Sequence, residues 1–480
     1  MTRLVVGPFN RVEGDLEVTL DVVGGRIIAA RVNAPLFRGF EQILAGKHPL
    51  DALTFVPRIC GICSVAQSAA SAAALADAAQ LTPLPNGQLA AALTLAVENL
   101  ADHLTHFALF FMPDFARAEY AQRAWHADAL ARFKAIDGSA RREVLPARAR
   151  LLETLGFLAG KWPHTGSLQP GGSARPITAS ERLRVYALLR GFREFAEQTL
   201  FGDALEAVSA IGSLDALHAW AASGARGDFG RFLRIADDLG LWRIGRATDR
   251  FLSMGAYALP RAQRLYASGV WHDGLHPFAS EAVSEDISHA WMAGATVLAP
   301  HQGETLPQAD KPGAYTWCKA PRLDGEVVEV GALARQVVDG HPLARDLVAR
   351  HGGSVAARVV ARLLEIARTL PEMERWALAL SPAEPFCAQF DLPDEAQGVG
   401  LVEAARGALG HWLTIRGGRI ARYQIVAPTT WNFSPRDAGG TPGALEQALT
   451  GIEMGAGPQT PAIVQHVVRS FDPCMVCTVH

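Results

Sequence analysis

Two Cys-x-x-Cys pairs stand near opposite ends of the chain: Cys60 and Cys63 in "VPRICGICSVAQ", and Cys474 and Cys477 in "FDPCMVCTVH". Cysteine thiolates are soft ligands that favour zinc, copper(I), iron–sulfur clusters and, in some sites, nickel. The plainest use of four such ligands is a structural zinc site. Zinc sites of that kind usually staple a small module, with the pairs roughly 15–20 residues apart. Here Cys63 and Cys474 are separated by 411 positions (474 minus 63), and a chain of this length buries a core without a metal staple. The spacing therefore points to metal chemistry that draws on both ends of the fold. Four thiolates carry a large negative charge, which nearby guanidinium groups would offset. Arg58, two residues before Cys60, is one candidate, and Asp472-Pro473 directly precede the second pair.

The elements that must bring the pairs together can be read from periodicity. Leu16, Val18, Leu20 and Val22 alternate with Glu17, Thr19 and Asp21, and Gly24-Gly25 then turns the chain into "RIIAARV", a hairpin pattern. A second hairpin signal, "HWLTIRGGRIARYQIV", turns at Gly417-Gly418. The two are expected to contribute to a shared small β region near the termini. Between them the pattern is mainly helical. Residues 86–112 run without an internal proline up to Met112, as in a long buried helix. "TASERL" carries a capping box from Thr178 to Glu181, and Ser354 is placed to cap the helix "VAARVVARLLEIARTL". The segment "SVAQSAASAAALADAA" after Cys63 is rich in Ala and Ser, so its backbone can approach its neighbours closely. The expectation is one domain over residues 1–480, mostly α, with long central helices and short strands near both termini.

Composition limits the partners. The net charge is -3 and charged residues are 19%, which gives no basic footprint for nucleic acid. A charge content below the usual quarter fits a surface partly covered by another protein. No stretch supplies the roughly 18 apolar residues of a membrane span. Pro8, Asn10 and Arg11 interrupt any export-signal core at the start, so a cytoplasmic location is expected.

"RICGIC" with "DPCMVCTVH" resembles the two signature motifs of the large subunit of [NiFe]-hydrogenases. The resemblance runs through "FNRVEGDLEV", "FRGFEQILAGKHPLDA", "TWCKAPRLDGEVVEVGALAR", "ARGALGHW" and "VAPTTWNFSPRD" in order. It implies the multihelical fold of that family and nickel held by four thiolates. Cys60 and Cys474 would be terminal ligands; Cys63 and Cys477 would bridge to an iron carrying two cyanides and one carbon monoxide. Cys474 would be the first base and Glu13 the proton relay, a role that burial can tune. Asp102, Asp472 and Arg406 match residues around the open side of the metals. Thr429, with Thr430 as a neighbouring possibility, matches a donor to cyanide. Glu41 and His480 match ligands of a second metal, usually magnesium, with a backbone carbonyl near Ile425. The chain stopping at His480 fits either a mature form or a form made without a tail. A small subunit carrying iron–sulfur clusters and a set of maturation proteins are the implied partners, since only Cys318 and Cys387 remain here for cluster binding.

Three departures narrow the resemblance. Gln67 stands where the first cysteine motif commonly has histidine, and glutamine cannot carry a proton near neutral pH. Ala405 replaces the usual proline before the pocket arginine. Ile62, and Phe110 eight residues after Asp102 at twice the four-residue helical step, are bulkier than the usual valine and leucine and would narrow the route for gas. Together with a missing tail, Gln67, Ile62 and Phe110 resemble the regulatory, H2-sensing branch, which reports to a partner histidine kinase. The alternatives are an ordinary uptake hydrogenase feeding a respiratory chain, a hydrogenase-related quinone-reductase subunit (whose members typically lack the full cysteine set), and a zinc scaffold.

Overall fold

In the computed structural model, residues 2–224, 226–454, 462–478 and 480 are described. The amino-terminal alternation folds into antiparallel strands Glu17–Val23 and Arg26–Asn33, with Thr2–Val6 as a third strand. Leu16, Val18 and Leu20 are fully buried. A bulge between Asp21 and Val22 then breaks the alternation. Asp21 ends up buried, held by Arg3 Nε and Arg31 Nη1, each at 2.8 Å. The second hairpin joins Gly407–Arg416 to Arg419–Val426, and Ala396–Ala404 completes that sheet. The two hairpins lie in separate sheets, which corrects the expected shared β region. The ends still meet: Ile27 N–H donates to Ile452 O at 2.9 Å and Gly451 N–H to Ile27 O at 2.8 Å.

Long helices fill the middle, among them Ser64–Ala78, Pro85–Thr105, Ala179–Phe195 and Val355–Ala379. Thr178 and Glu181 form the full capping box, and Ser354 accepts from Ala357 N–H. The alanine-rich helix packs on strand Ala396–Ala404 at very close range. A Cβ on Gly400 would fall 1.9 Å from Ala70 O, and one on Gly398 2.1 Å from Ala74 O. Only glycine on one side and small residues on the other allow that approach. A β region in the middle of the chain, with Phe251–Leu259 paired to Gln263–Trp271, was not expected. Its first strand is buried at seven consecutive positions, so it shows none of the alternation that marks a half-buried strand. Among the described residues no helix is long and apolar enough to cross a membrane.

Candidate metal centre

Each cysteine pair sits where a turn meets a helix. A short 3-10 turn, Val56–Ile59, delivers Cys60 in an extended conformation, and Cys63 is the N-cap of Ser64–Ala78. The Cys60 sulfur accepts from the N–H groups of Ile62 at 3.4 Å and Cys63 at 3.3 Å, contacts that favour a thiolate. At the other end Cys477 lies in the one-turn helix Met475–Thr478. The four buried sulfurs gather within 4.8 Å of one another. Cys60 faces Cys474 at 3.4 Å, Cys63 faces Cys477 at 3.0 Å, and Cys474 lies 3.0 Å from Cys477. These separations are far beyond a disulfide bond of about 2.05 Å. Four convergent soft donors with amide support fit a thiophilic metal.

The charges around the sulfurs are arranged on one arginine. Arg406 is buried at the tip of the hairpin between Ala404 and Gly407. It pairs with Asp102 through both terminal nitrogens and with Asp472, whose Oδ1 is 3.0 Å and whose carbonyl is 2.8 Å away. One guanidinium between two carboxylates separates their acidities. Burial pushes Asp102 up to about 7 despite Arg406. At Asp472 burial is outweighed by Arg406 and then His106, and its carboxyl falls below the ordinary range. Burial opposes ionisation of Cys60, but the Cys474, Cys477 and Cys63 thiols hydrogen-bonded to it draw it well below its usual value. Sharing one such charge raises Cys63 and Cys477. A bound cation is what would hold all four as thiolates.

Glu13 is half-buried beside this cluster. Its carbonyl accepts from Met475 N–H at 2.7 Å, and Glu13 and Cys474 form a parallel bridge. Burial and then the Cys60 charge raise its carboxyl, with Arg406 and Arg38 opposing. The Thr429 hydroxyl accepts from Cys474 N–H at 3.1 Å, which leaves its own proton for another acceptor. The neighbouring Thr430 hydroxyl is buried without a partner.

Glu41 and His480 meet in a second polar cluster, at 3.1 Å. Glu41 also accepts from Ile425 N–H at 2.8 Å, Lys319 at 3.2 Å and the Thr305 hydroxyl. Ile425 thus meets this site through its amide. His480 Nδ1 lies 2.8 Å from the Cys477 carbonyl, so that nitrogen carries the proton. Its Nε2 faces the Glu41 carboxylate, so the pair offers one ring nitrogen and carboxylate oxygens to a cation. Glu285, 3.5 Å from Lys319, has a buried oxygen without a hydrogen-bond partner.

The remaining predicted residues are more dispersed. Gln67 Oε1 is 2.9 Å from His411 Nε2, and His411 Nδ1 is 2.9 Å from the Tyr423 hydroxyl. Arg58 is exposed and donates to the Thr54 carbonyl, so the charge facing the thiols comes from Arg406. Ile62 is half-buried. Phe110 is also half-buried, but it lies in a π-helical segment, His106–Phe111, that follows the α-helix. The wider turn breaks the four-residue step from Asp102 that a continuous α-helix would keep.

Glu98 was missed by sequence reasoning. It is buried and accepts from Val65 N–H at 2.9 Å, Ala66 N–H at 3.0 Å and Trp162 Nε1 at 2.8 Å. It thereby caps the helix that starts at Cys63. Its position, 34 residues after Ser64, gives no local capping signal.

The chain is similar to known proteins over its whole length. Residues 38–137 and 142–480 match the family described as nickel-dependent hydrogenase. The chain is 30% identical over 514 residues to the periplasmic [NiFeSe] hydrogenase large subunit of Desulfomicrobium baculatum, covering 100% of this chain and 95% of that one. It is 27% identical over 609 residues to the uptake hydrogenase large subunit of Cupriavidus necator, with the same two coverages. A crystal structure of the reduced, active Ni-Fe-Se hydrogenase from Desulfomicrobium baculatum superposes with a TM-score of 0.86 at 28% identity, over 100% of both chains. With its family model, its relatives and its fold in agreement, the chain belongs to the nickel-dependent hydrogenases, oxidoreductases acting on H2, as one of their large subunits.

Proposed function

We propose that this large subunit is the active-site chain of a regulatory, H2-sensing [NiFe]-hydrogenase, folded as one domain over residues 1–480. The four-thiol cluster beneath Arg406 supports the catalytic part of this reading. Cys60, Cys63, Cys474 and Cys477 would hold the nickel–iron centre, with Cys63 and Cys477 shared between nickel and an iron carrying two cyanides and one carbon monoxide. When bound, that centre supplies the Lewis acidity and the electron acceptor that dihydrogen, a very weak acid, needs in order to part with a proton. Cys474 takes the proton first. Glu13, whose carboxyl burial holds above its ordinary range, carries it away. Arg406, oriented by Asp102 and Asp472, keeps a fixed positive charge over the thiolates, and the free protons of Thr429 and Thr430 are available to a cyanide. Glu41 and His480 would hold a magnesium ion, which would tie the carboxyl-terminal histidine to the core.

The sensing role is supported by Gln67. A hydrogen-bond chain from Gln67 to His411 and Tyr423 is in place, but glutamine gives it no titrating group where relatives commonly have histidine. Turnover is slow in this reading, and the redox state passes through the iron–sulfur clusters of a small subunit to a histidine kinase in the cytoplasm. Maturation proteins load the metals. A second reading, an uptake enzyme feeding a respiratory chain, is favoured by the relative named as an uptake hydrogenase. Hydrogen-dependent dye reduction by the purified two-subunit complex, before and after air, separates them. Slow turnover that survives air supports sensing; fast turnover suppressed by air supports uptake.

A further inference from the structure

We propose that Arg335 is a positioning residue for Arg406, acting through the hairpin turn that carries it; this rests on the assignment of Arg406 to the centre above. Arg335 lies in the helix Ala332–Val338 and is completely buried. Its guanidinium has five N–H groups, and five acceptor contacts meet it. Nε and Nη2 donate to the two oxygens of Glu365, both at 3.0 Å, and Nη1 donates to Glu403 Oε2 at 2.7 Å. The other two bonds go to main-chain carbonyls, Ala404 O at 2.9 Å and Ala405 O at 3.1 Å. Those are the two peptide groups immediately before Arg406.

The turn is short, with only Ala405 and Arg406 between the paired residues Ala404 and Gly407. Fixing its carbonyls therefore fixes the direction in which the Arg406 side chain leaves the backbone. The far side of the turn rests on the same helix start. A Cβ on Gly407, at φ +126°, would fall 2.6 Å from the backbone nitrogen of Gly331, the N-cap of the helix that carries Arg335. The partner of Arg335 reaches the other half of the ion pair: Glu365 is 3.3 Å from His103 Nε2, and His103 is the chain neighbour of Asp102. Arg335 thus holds the main chain leading to Arg406, while Glu365 meets the side chain next to Asp102. A proline at position 405 would restrict the turn through its fixed φ. With Ala405 there, the restraint comes from Arg335. Lysine keeps the charge but brings three N–H groups to five acceptors.

The test uses the two-subunit complex. Arg335→Lys is expected to keep its nickel and iron and a KM for dihydrogen within about two-fold, and to lower kcat roughly 10- to 100-fold, as small misplacements do. Backbone amides of the segment 404–407 exchange with deuterium faster. Adding Ala405→Pro recovers part of kcat and slows that exchange, because the ring stiffens the same turn. In a double-mutant cycle with Arg406→Lys, the combined loss is smaller than the product of the single losses. Losses that multiply, with no recovery from Ala405→Pro, overturn the proposal and leave Arg335 as part of the buried frame. Unchanged turnover in Arg406→Lys alone overturns the assignment of Arg406 instead, and the proposal falls with it. Should Arg335→Lys fail to accumulate, Glu365→Gln, which withdraws one acceptor from the paired N–H groups, enters the same cycle with the same two outcomes.

Discussion

Glu13 and Cys474 are neighbours through their main chains: they form a parallel bridge, and the Glu13 carbonyl takes the next N–H, that of Met475, at 2.7 Å. A Cβ on Gly14 would come within 3.0 Å of Val476, so the two segments are pressed together along their length. The carboxylate proposed as relay and the thiolate proposed as base thus keep their relative placement without depending on a side-chain contact. Glu13→Gln keeps that backbone pairing and removes the titrating group. It should lower H/D exchange by about 10²–10⁴-fold, the range of a lost acid–base group, with nickel and iron content unchanged. Normal exchange in the variant would take Glu13 out of the proton path.

Ile62→Val combined with Phe110→Leu should raise sensitivity to oxygen. Both side chains are half-buried rather than locked in the core, so trimming them opens space at little cost in stability. Residual dye reduction after timed exposure to air is the readout. A double variant as tolerant as the parent would mean that these two residues do not gate the gas.

Glu98→Gln should destabilise the complex by about 1–3 kcal/mol, the cost of leaving buried donors unmade. The amide replaces an oxygen that now accepts from Val65, Ala66 or Trp162 N–H. Because Val65 and Ala66 begin the helix after Cys63, nickel retention during mild heating should fall together with the melting temperature. Loss of stability without loss of nickel would confine Glu98 to the helix start.

The pH dependence of stability should carry a mark from His411. Burial holds this imidazole down to about 3, below its unfolded value near 6.5. Between those values the unfolded chain binds the extra proton, so this contribution is present above about pH 6.5 and is lost as pH falls toward 3. Denaturant titrations at several pH values should show His411→Gln losing stability less steeply than the parent over that interval. Parallel slopes would show that His411 does not contribute.

The four cysteines that converge were legible because their spacing and order are distinctive, and the two hairpins and two helix caps followed from local patterns. What stayed hidden shares a cause. Phe251–Leu259 is buried on both faces, which erases the alternation that announces a strand. The π-helical segment at His106–Phe111 reads like any other apolar helix in one dimension. Arg58 looked like the counter-charge because it is near Cys60 in sequence. Arg406 holds that place through a hairpin 346 positions away (406 minus 60). Glu98 and Arg335 likewise act across long separations, where only packing tells which polar group meets which.

The Cys60–Cys474 contact spans 414 positions, and that span sets a timetable. At a synthesis rate of roughly 5–20 residues per second, the first thiol pair leaves the ribosome about 20 to 80 seconds before the second. During that interval the early thiols have no partner, and for most of it Ser64–Ala78 has no glycine strand to rest on. The centre closes only when the last segment threads alongside Glu13. A metal placed before that moment meets an open half-site, and one arriving afterwards must enter a finished core. The order of loading and closure is thus written into the distance between two cysteines.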